Sequence, residues 1–258
     1  MKKLLFVICT LFATVAIGET TNIDWYVDGS VYTTTTCTIG GDIILPTAPT
    51  KRGYTFVGWS EFIPIEYIQS DGTQYIDTGF KPNQNTRVIM EYTVTTYNSV
   101  GFVFGGRNAA RNAASFGELY SGSGKWRSDY GANGGSIEGP QLSSAFYNHR
   151  IKIDKNKNVT YVYDESNNIL VNISHTGQTF QTSFNMVFPS MNDAGTVMSF
   201  SRMIRIYCFQ IYDNGVLVRD MIPVLDGNNV PCMYDKVSET FFYNAGTGNF
   251  IAGPVVTE

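Results

Sequence analysis

The feature of this sequence that most restricts its fold is the recurrence of short segments in which apolar and polar residues alternate. RVIMEYTV (87–94) places Val88, Met90, Tyr92 and Val94 on one face, and HRIKID (149–154) alternates in the same way. Gly, Asn, Asp and Pro separate such segments, and no stretch after the first 18 residues has a sustained helical period. A period of two is typical of a strand with one buried and one solvated face. The spacing of the segments predicts an all-β, antiparallel two-sheet sandwich.

The N-terminus has the three parts of a secretory signal peptide. These are a basic start at residues 1–3, an apolar run at residues 4–15, and a small-x-small cleavage site at residues 16–18. The apolar run is shorter than the ~20 residues that a membrane-spanning helix needs. We therefore expect residues 1–18 to be removed, the mature chain to begin near Glu19, and no membrane span to remain. The expected location is secreted or at the cell surface.

Charge and composition restrict the partners. Lys and Arg total 18 against 22 acidic residues, which argues against nucleic acid because phosphate binding needs a basic surface. Charged residues make up 16% of the chain, whereas Tyr and Phe together number 33. This composition is typical of an extracellular β-protein.

Three cysteines, Cys37, Cys208 and Cys232, follow the predicted cleavage site. An odd count allows at most one disulfide and leaves at least one thiol. Two interpretations stay open from sequence: buried free thiols, or a bridge between Cys208 and Cys232.

Residues 22–60 carry a motif that ends in GYTFVGW (53–59), after a D-G turn, an isolated Gly-Gly and a Leu45-Pro46 step. This block resembles the Listeria/Bacteroides repeat, also called the internalin-type B repeat. The resemblance implies a small β-grasp-like unit over residues 19–60, of a kind found in bacterial surface and secreted proteins. One copy is visible, and Trp59 is expected to close its core.

Residues 61–258 follow a second pattern. FYNHRIKIDKNKNVTYVYDESNN (146–168) and RIYCFQIYDNGVLVRDMIPVLD (205–226) resemble the laminin-G-like members of the concanavalin A-like jelly rolls. The resemblance implies an antiparallel two-sheet jelly-roll sandwich whose terminal strands lie side by side.

Catalytic chemistry finds little support in the sequence. The paired carboxylates of glycoside hydrolases are missing, since the neighbours Asp164 and Glu165 would point to opposite faces of a strand. His149 is interpreted as a structural residue at a strand start, and His175 as an exposed loop residue.

Zinc-ligand spacing is absent, and the oxygen-rich strings SMNDAGT (190–196) and LDGNN (225–229) are interpreted as turns rather than calcium loops. We predict no enzyme activity, no metal and no cofactor.

The segment 106–135 combines aromatic rings, planar polar groups and glycines, as sugar recognition requires. The candidate ligand-binding residues are Trp126, Tyr130, Arg107, Asn108 and Tyr120. A competing interpretation stays open, in which the aromatic residues are core positions of two strands joined by a hairpin.

The expected function is that of a non-enzymatic binding or adhesion protein that recognises a glycan or another host or cell-surface ligand through the jelly roll. One alternative is an architectural surface subunit without a small-ligand site. A second alternative is a glycan-active enzyme of unrecognised mechanism.

Overall fold

The structure is a computed structural model that describes residues 2–5, 19–27, 30–59, 61–95, 101–108, 115–120, 124–131, 136–141, 146–198 and 203–256. None of these residues lies in an α-helix. The strands, in chain order, are β1 (Lys2–Leu5), β2 (Thr20–Val27), β3 (Ser30–Thr38), β4 (Tyr54–Gly58), β5 (Ile63–Pro64), β6 (Ile68–Ser70), β7 (Ile76–Asp77), β8 (Thr86–Val94), β9 (Gly101–Arg107), β10 (Ser115–Tyr120), β11 (Lys125–Gly131), β12 (Ser136–Gln141), β13 (Ile151–Lys155), β14 (Val159–Tyr163), β15 (Ile169–Ser174), β16 (Val187–Phe188), β17 (Met191–Asp193), β18 (Thr196–Met198), β19 (Ile204–Asp213), β20 (Val216–Leu225), β21 (Pro231–Asp235), β22 (Thr240–Phe242) and β23 (Ile251–Ala252).

Residues 61–256 supply both layers of a sandwich. In one layer, called the β10 sheet, the strand order is β12-β11-β10-β9-β16-β7, and β17 and β18 join beside β9. In the other layer, called the β13 sheet, the order is β15-β14-β13-β8-β19-β20-β21-β22, with β5, β6 and β23 attached. Neighbouring strands are antiparallel except that β17 runs parallel to β9. The predicted fold class, an all-β antiparallel sandwich, is confirmed.

Alternation along β8 shows how the sequence builds the core. Val88, Met90, Tyr92 and Val94 have no exposed surface and pack with residues of the β10 sheet. The phenolic oxygens of Tyr92 and Tyr120 lie 2.7 Å apart, so a hydrogen bond joins the two layers. On the opposite face of β8, Arg87 forms an ion pair with Asp154. The period-two pattern is therefore satisfied, with apolar side chains inward and charged side chains outward.

The first and last strands of the sandwich lie side by side, as predicted. β23 pairs with β6 in the register Ile251 with Gln69 and Ala252 with Ile68. Backbone hydrogen bonds continue the ladder from Gly253 N to Tyr67 O and from Val256 N to Pro64 O.

A smaller cluster lies in residues 19–59. The hairpin β2–β3 buries Ile23, Trp25 and Cys37, and Trp59 packs against them. The rings of Trp59 and Trp25 are 5.0 Å apart in an edge-to-face arrangement, which aromatic pairs favour. β4 pairs in parallel with β1. Most of the predicted signal peptide, residues 6–18, lies outside the described residues.

The thiols of Cys37, Cys208 and Cys232 are free in the structure. Cys37 and Cys232 are buried and Cys208 is half-buried, so the free-thiol interpretation holds and the Cys208–Cys232 bridge does not form. Burial raises the pKa of Cys208 to about 11 and that of Cys232 to about 12, which makes both thiols poor nucleophiles at neutral pH.

In the described part of the chain, no helix has the length and hydropathy that crossing a membrane would require.

Candidate functional site

The structure places the three aromatic candidates in the core. Trp126 and Tyr120 have no exposed surface and Tyr130 is 2% exposed. The rings of Tyr120 and Trp126 pack edge to face at 5.0 Å, and Trp126 also packs against Phe146 at 5.9 Å. A ring without exposed surface has no face on which a sugar can stack. The core interpretation therefore holds for these residues, and the prediction that they line a binding surface is wrong.

Arg107 and Asn108 lie at the end of β9, away from that aromatic core. Arg107 forms a two-pronged ion pair with Asp193. The side-chain oxygen of Asn108 accepts a hydrogen bond of 2.6 Å from the backbone N–H of Ser183. Both side chains hold neighbouring loops in place. The positions 109–114, 121–123 and 132–135 of the same segment lie outside the described residues.

Between the sheets lies a buried polar network that the sequence reading did not find. Glu118 of β10 and Lys155 of β13 have no exposed side-chain surface, and 2.7 Å separates Nζ from Oε1. Oε1 also accepts hydrogen bonds from Ser128 Oγ at 2.6 Å and Thr160 Oγ1 at 3.0 Å. Oε2 accepts a hydrogen bond of 2.7 Å from Nε1 of Trp126. Buried charges persist when they are paired and hydrogen-bonded, and both conditions are met here.

Burial sets the electrostatics of this network. Desolvation raises the pKa of the Glu118 carboxyl and lowers the pKa of the Lys155 ammonium, although the charge of each group opposes the shift of the other. Both directions favour the uncharged forms.

His175, the residue after β15, joins the network through a hydrogen bond of 2.8 Å between Nε2 and Thr160 Oγ1. Burial, helped by the nearby Lys155 cation, lowers the pKa of His175 to about 3, so the imidazole is neutral at pH 7. Within the described part of the chain, its Nδ1 is buried without a hydrogen-bond partner. His175 lies in a loop, as expected, but it is half-buried instead of exposed. His149, in contrast, is exposed and 4.0 Å from Glu165.

Position along the strands could have revealed the network. Lys155 follows Ile151 and Ile153 at intervals of two, and Glu118 lies between Phe116 and Tyr120 at the same interval. A strand directs such residues to one face, so both charged groups had to point into the core.

One surface feature suited to a ligand, among the described residues, is a cleft of about 520 Å³ at the rim of the sandwich. Three stretches line it: residues 72–75 after β6, residues 190 and 195–197 around β17 and β18, and residues 245–247 before β23. The third stretch and the first are hydrogen-bonded to each other, from Ala245 N to Tyr75 O at 2.9 Å and from Thr247 N to Thr73 O at 3.2 Å. These two walls are therefore preformed, as is usual for small-molecule sites.

Asn244 and Gly246 give these walls their shape. The side-chain oxygen of Asn244 accepts hydrogen bonds from Tyr75 N and from Gly246 N. A Cβ at position 246 would collide with the carbonyl oxygen of Thr73 and would lie 3.0 Å from the Tyr75 ring. The close approach of the two walls therefore requires glycine at this position.

The remaining wall is the β17–β18 hairpin, within the string SMNDAGT. The side-chain oxygen of Asn192 accepts a hydrogen bond from the backbone N–H of Gly195, so this string forms a turn, as predicted. Asp226 in the string LDGNN likewise accepts the N–H groups of Asn228 and Val230. The side chain of Arg107 holds the hairpin in place through its ion pair with Asp193. The backbone carbonyl of Arg107 also accepts a hydrogen bond from the N–H of Ala194. Of the predicted site residues, Arg107 is thus brought close to the cleft.

Among the described residues that line the cleft, none is charged. They offer the hydroxyl groups of Thr73, Thr196 and Thr247, the ring of Tyr75 and backbone groups. The amide of Gln74 is buried and hydrogen-bonded within the wall, to Ser70, Asp71 and Thr73. Hydroxyls and backbone amides both donate and accept hydrogen bonds, which suits an uncharged ligand rich in hydroxyl groups. No group of three or more potential metal ligands occurs among the described residues.

Comparisons with known proteins give no family. No family model and no curated protein matches the chain. Among solved structures it is similar to the CBM40 of the Ruminococcus gnavus IT-sialidase bound to α2,3-sialyllactose, at 16% identity and a TM-score of 0.38 over 59% of this chain and 90% of that chain. For the same CBM40 without a named ligand, the identity is 15% and the TM-score is 0.38, over 59% of this chain and 90% of that chain. For its complex with α2,6-sialyllactose, the identity is 13% and the TM-score is 0.36, over 57% of this chain and 90% of that chain. Likeness at this level carries no argument about function.

Proposed function

We propose that this protein is a non-catalytic binding protein of the cell exterior and that its sandwich binds an uncharged glycan in the rim cleft. The observation that carries the proposal is the cleft itself, with two walls preformed by backbone hydrogen bonds and a lining of hydroxyl, backbone and aromatic groups. Tyr75 supplies a half-buried ring against which the apolar face of a sugar can pack, while three exposed threonines supply partners for its hydroxyls.

The test is a glycan-array screen of residues 19–258, followed by calorimetric titration of the glycans that bind. We expect weak affinity, in the millimolar to micromolar range, about −4 to −8 kcal/mol. Thr196→Arg places a long side chain in the cleft and should lower affinity at least about tenfold, or ~1.4 kcal/mol. Thr240→Arg is the matched control, because Thr240 is also exposed but does not line the cleft.

Unchanged affinity in Thr196→Arg would remove the cleft as the binding site. If no glycan binds and the protein instead forms extended assemblies, the architectural alternative replaces the binding function.

Export is the second part of the proposed function, and it is supported by the three-part pattern of residues 1–18 and by the resemblance of residues 22–60 to surface-protein repeats. Expression in a bacterial secretion host should give a product that begins near Glu19. N-terminal sequencing that finds Met1 on a product retained in the cytosol would contradict this part.

A further inference from the structure

The Glu118–Lys155 pair joins the two layers of the sandwich at a point closed to solvent. Glu118 belongs to the β10 sheet and Lys155 to the β13 sheet, and neither side chain has exposed surface. The Phe116 ring centre lies 5.1 Å from Nζ and the Tyr130 ring centre 5.9 Å from it. The two functional groups are therefore held together out of contact with solvent, between aromatic rings and the hydroxyl groups of Ser128 and Thr160.

From this geometry we propose that Lys155 and Glu118 form an intramolecular amide bond, which would cross-link the two sheets covalently. The Nζ–Cδ bond forms, the bond between Cδ and Oε1 breaks, and one molecule of water leaves. The reaction needs no oxidant, reductant or co-reactant, since a carboxylic acid and an amine balance to an amide and water.

The protonation state is suited to this step. Burial shifts the pKa of the carboxyl upward and that of the ammonium downward, which lowers the free-energy cost of the neutral pair, COOH beside NH2, relative to the pair of ions. A neutral amine has the lone pair that attack on Cδ requires. The ionised form of a buried pair carries a desolvation penalty even where hydrogen bonds surround it, and the amide removes both ionisable groups.

The hydrogen bonds give each oxygen of Glu118 a distinct role. Ser128 Oγ accepts a hydrogen bond from Lys155 Nζ and donates one to Oε1, so it can carry the amine proton to the oxygen that leaves as water. Thr160 Oγ1 touches the same two atoms, 3.4 Å from Nζ and 3.0 Å from Oε1.

Oε2 stays behind as the amide oxygen. Its partner is the indole N–H of Trp126, a fixed donor that stabilises negative charge on this oxygen while the tetrahedral intermediate exists. The structure holds Nζ 2.7 Å from Oε1, so the reaction is intramolecular, and effective concentrations in well-oriented intramolecular reactions are on the order of 10⁵ M or more.

Intact-mass spectrometry of the purified protein tests the bond. The wild-type protein should weigh one water less than its sequence, whereas Lys155→Met should have its full sequence mass. Water can also be lost by cyclisation of an N-terminal Glu19 or at Asp-Gly sequences, but those losses would be shared by Lys155→Met. The comparison requires only a mass, so it holds even if the variant does not fold.

Tandem mass spectrometry of a tryptic digest of the wild-type protein locates the bond. Because trypsin does not cleave after an acylated lysine, we expect one branched peptide that joins residues 112–125 to residues 153–157. Recovery of residues 112–125 as an unmodified linear peptide, with complete cleavage after Lys155 and no branched product, would overturn the proposal.

Discussion

The guanidinium of Arg107 and the carboxylate of Asp193 are joined by two hydrogen bonds, of 2.7 Å from Nε to Oδ1 and 2.6 Å from Nη2 to Oδ2. The Asp193 partner raises the pKa of Arg107 above its ordinary value. The pair ties the end of β9 to the hairpin that forms one wall of the cleft. Arg107 therefore supports one wall of the cleft without lining it.

Arg107→Gln should loosen the hairpin and leave the rest of the sandwich folded. Hydrogen bonds to a charged group contribute about 1.5–3 kcal/mol, so the free energy of local opening should fall by about that amount. Hydrogen exchange of the amides in residues 191–198 measures the change. Arg87→Gln is the control, because it breaks the equally two-pronged pair with Asp154 and does not touch this cleft. Equal exchange in the two variants would contradict the bracing role.

Gly246→Ala should separate the two preformed walls, because the new Cβ would collide with the Thr73 carbonyl. Overpacking of this kind costs about 1–3 kcal/mol. Exchange at the amides of Ala245 and Thr247 should accelerate, and glycan affinity should fall. Gly177→Ala is the matched control, since a Cβ there meets nothing within 4 Å. A Gly246→Ala protein with the exchange and affinity of the wild type would show that the walls need no close approach.

Trp126→Ala should destabilise the sandwich by about 3–5 kcal/mol, the usual cost of removing a large aromatic core side chain. Trp126→Phe keeps much of the ring but loses the donor to Oε2 of Glu118, and leaving a buried acceptor without its partner should cost about 1–3 kcal/mol. Urea unfolding measures both variants. A Trp126→Ala protein as stable as the wild type, with altered ligand binding, would restore the surface-platform interpretation.

Trp59→Ala should unfold residues 19–59 without melting the sandwich. The ring packs on Trp25 at 5.0 Å and on Phe56 at 5.1 Å, and its N–H donates to the carbonyl of Pro46. A cluster this small has little stability to lose. Hydrogen exchange followed separately in residues 19–59 and 61–256 should change in the first range alone. Unchanged protection in residues 19–59 would show that Trp59 does not close this core.

The pKa of His175 makes the stability of the sandwich depend on pH. The imidazole ionises at about pH 3 in the folded protein and at its ordinary, higher pKa of 6.5 when unfolded. The unfolded chain therefore binds more protons between these values, and the stability present above pH 6.5 is lost progressively as the pH falls towards 3.

Urea midpoints at pH 7 and pH 5 measure this dependence. His175→Gln should lose less stability between the two pH values than the wild type, whereas His149→Gln, at an exposed position, should behave like the wild type. A wild-type pH dependence in His175→Gln would exclude this histidine as its source.

The period-two pattern was sufficient to predict the fold class, because burying one face of a strand constrains every second residue. Val88, Met90 and Tyr92 point inward as the pattern requires. The same rule would have placed Trp126 and Tyr130 inward, with Ser128 between them, but the polar groups in segment 106–135 favoured a surface interpretation.

The cleft was harder to predict because its walls come from residues more than a hundred positions apart. Backbone hydrogen bonds join Tyr75 to Ala245 and Thr73 to Thr247, and such bonds between distant segments leave no trace in side-chain periodicity. The buried Lys155 was missed for a different reason: a lysine in a polar turn sequence, DKNKN, is normally solvated, and only its partner on another strand explains its burial.

The antiparallel pairing of β6 with β23 has a mechanical consequence. In the register Ala252 with Ile68 and Ile251 with Gln69, the chain enters and leaves the sandwich at the same end of the ladder. A pulling force applied at residues 61 and 256 would therefore break the backbone hydrogen bonds between β6 and β23 one after another, instead of all of them at the same time. Residues 72–75 follow β6 along the chain, and residues 245–247 precede β23. Once β6 and β23 have separated, the same force would therefore pull these two preformed walls of the cleft away from each other. An optical-trap measurement should then show glycan release at a lower force than the unfolding of the β8–β19 core.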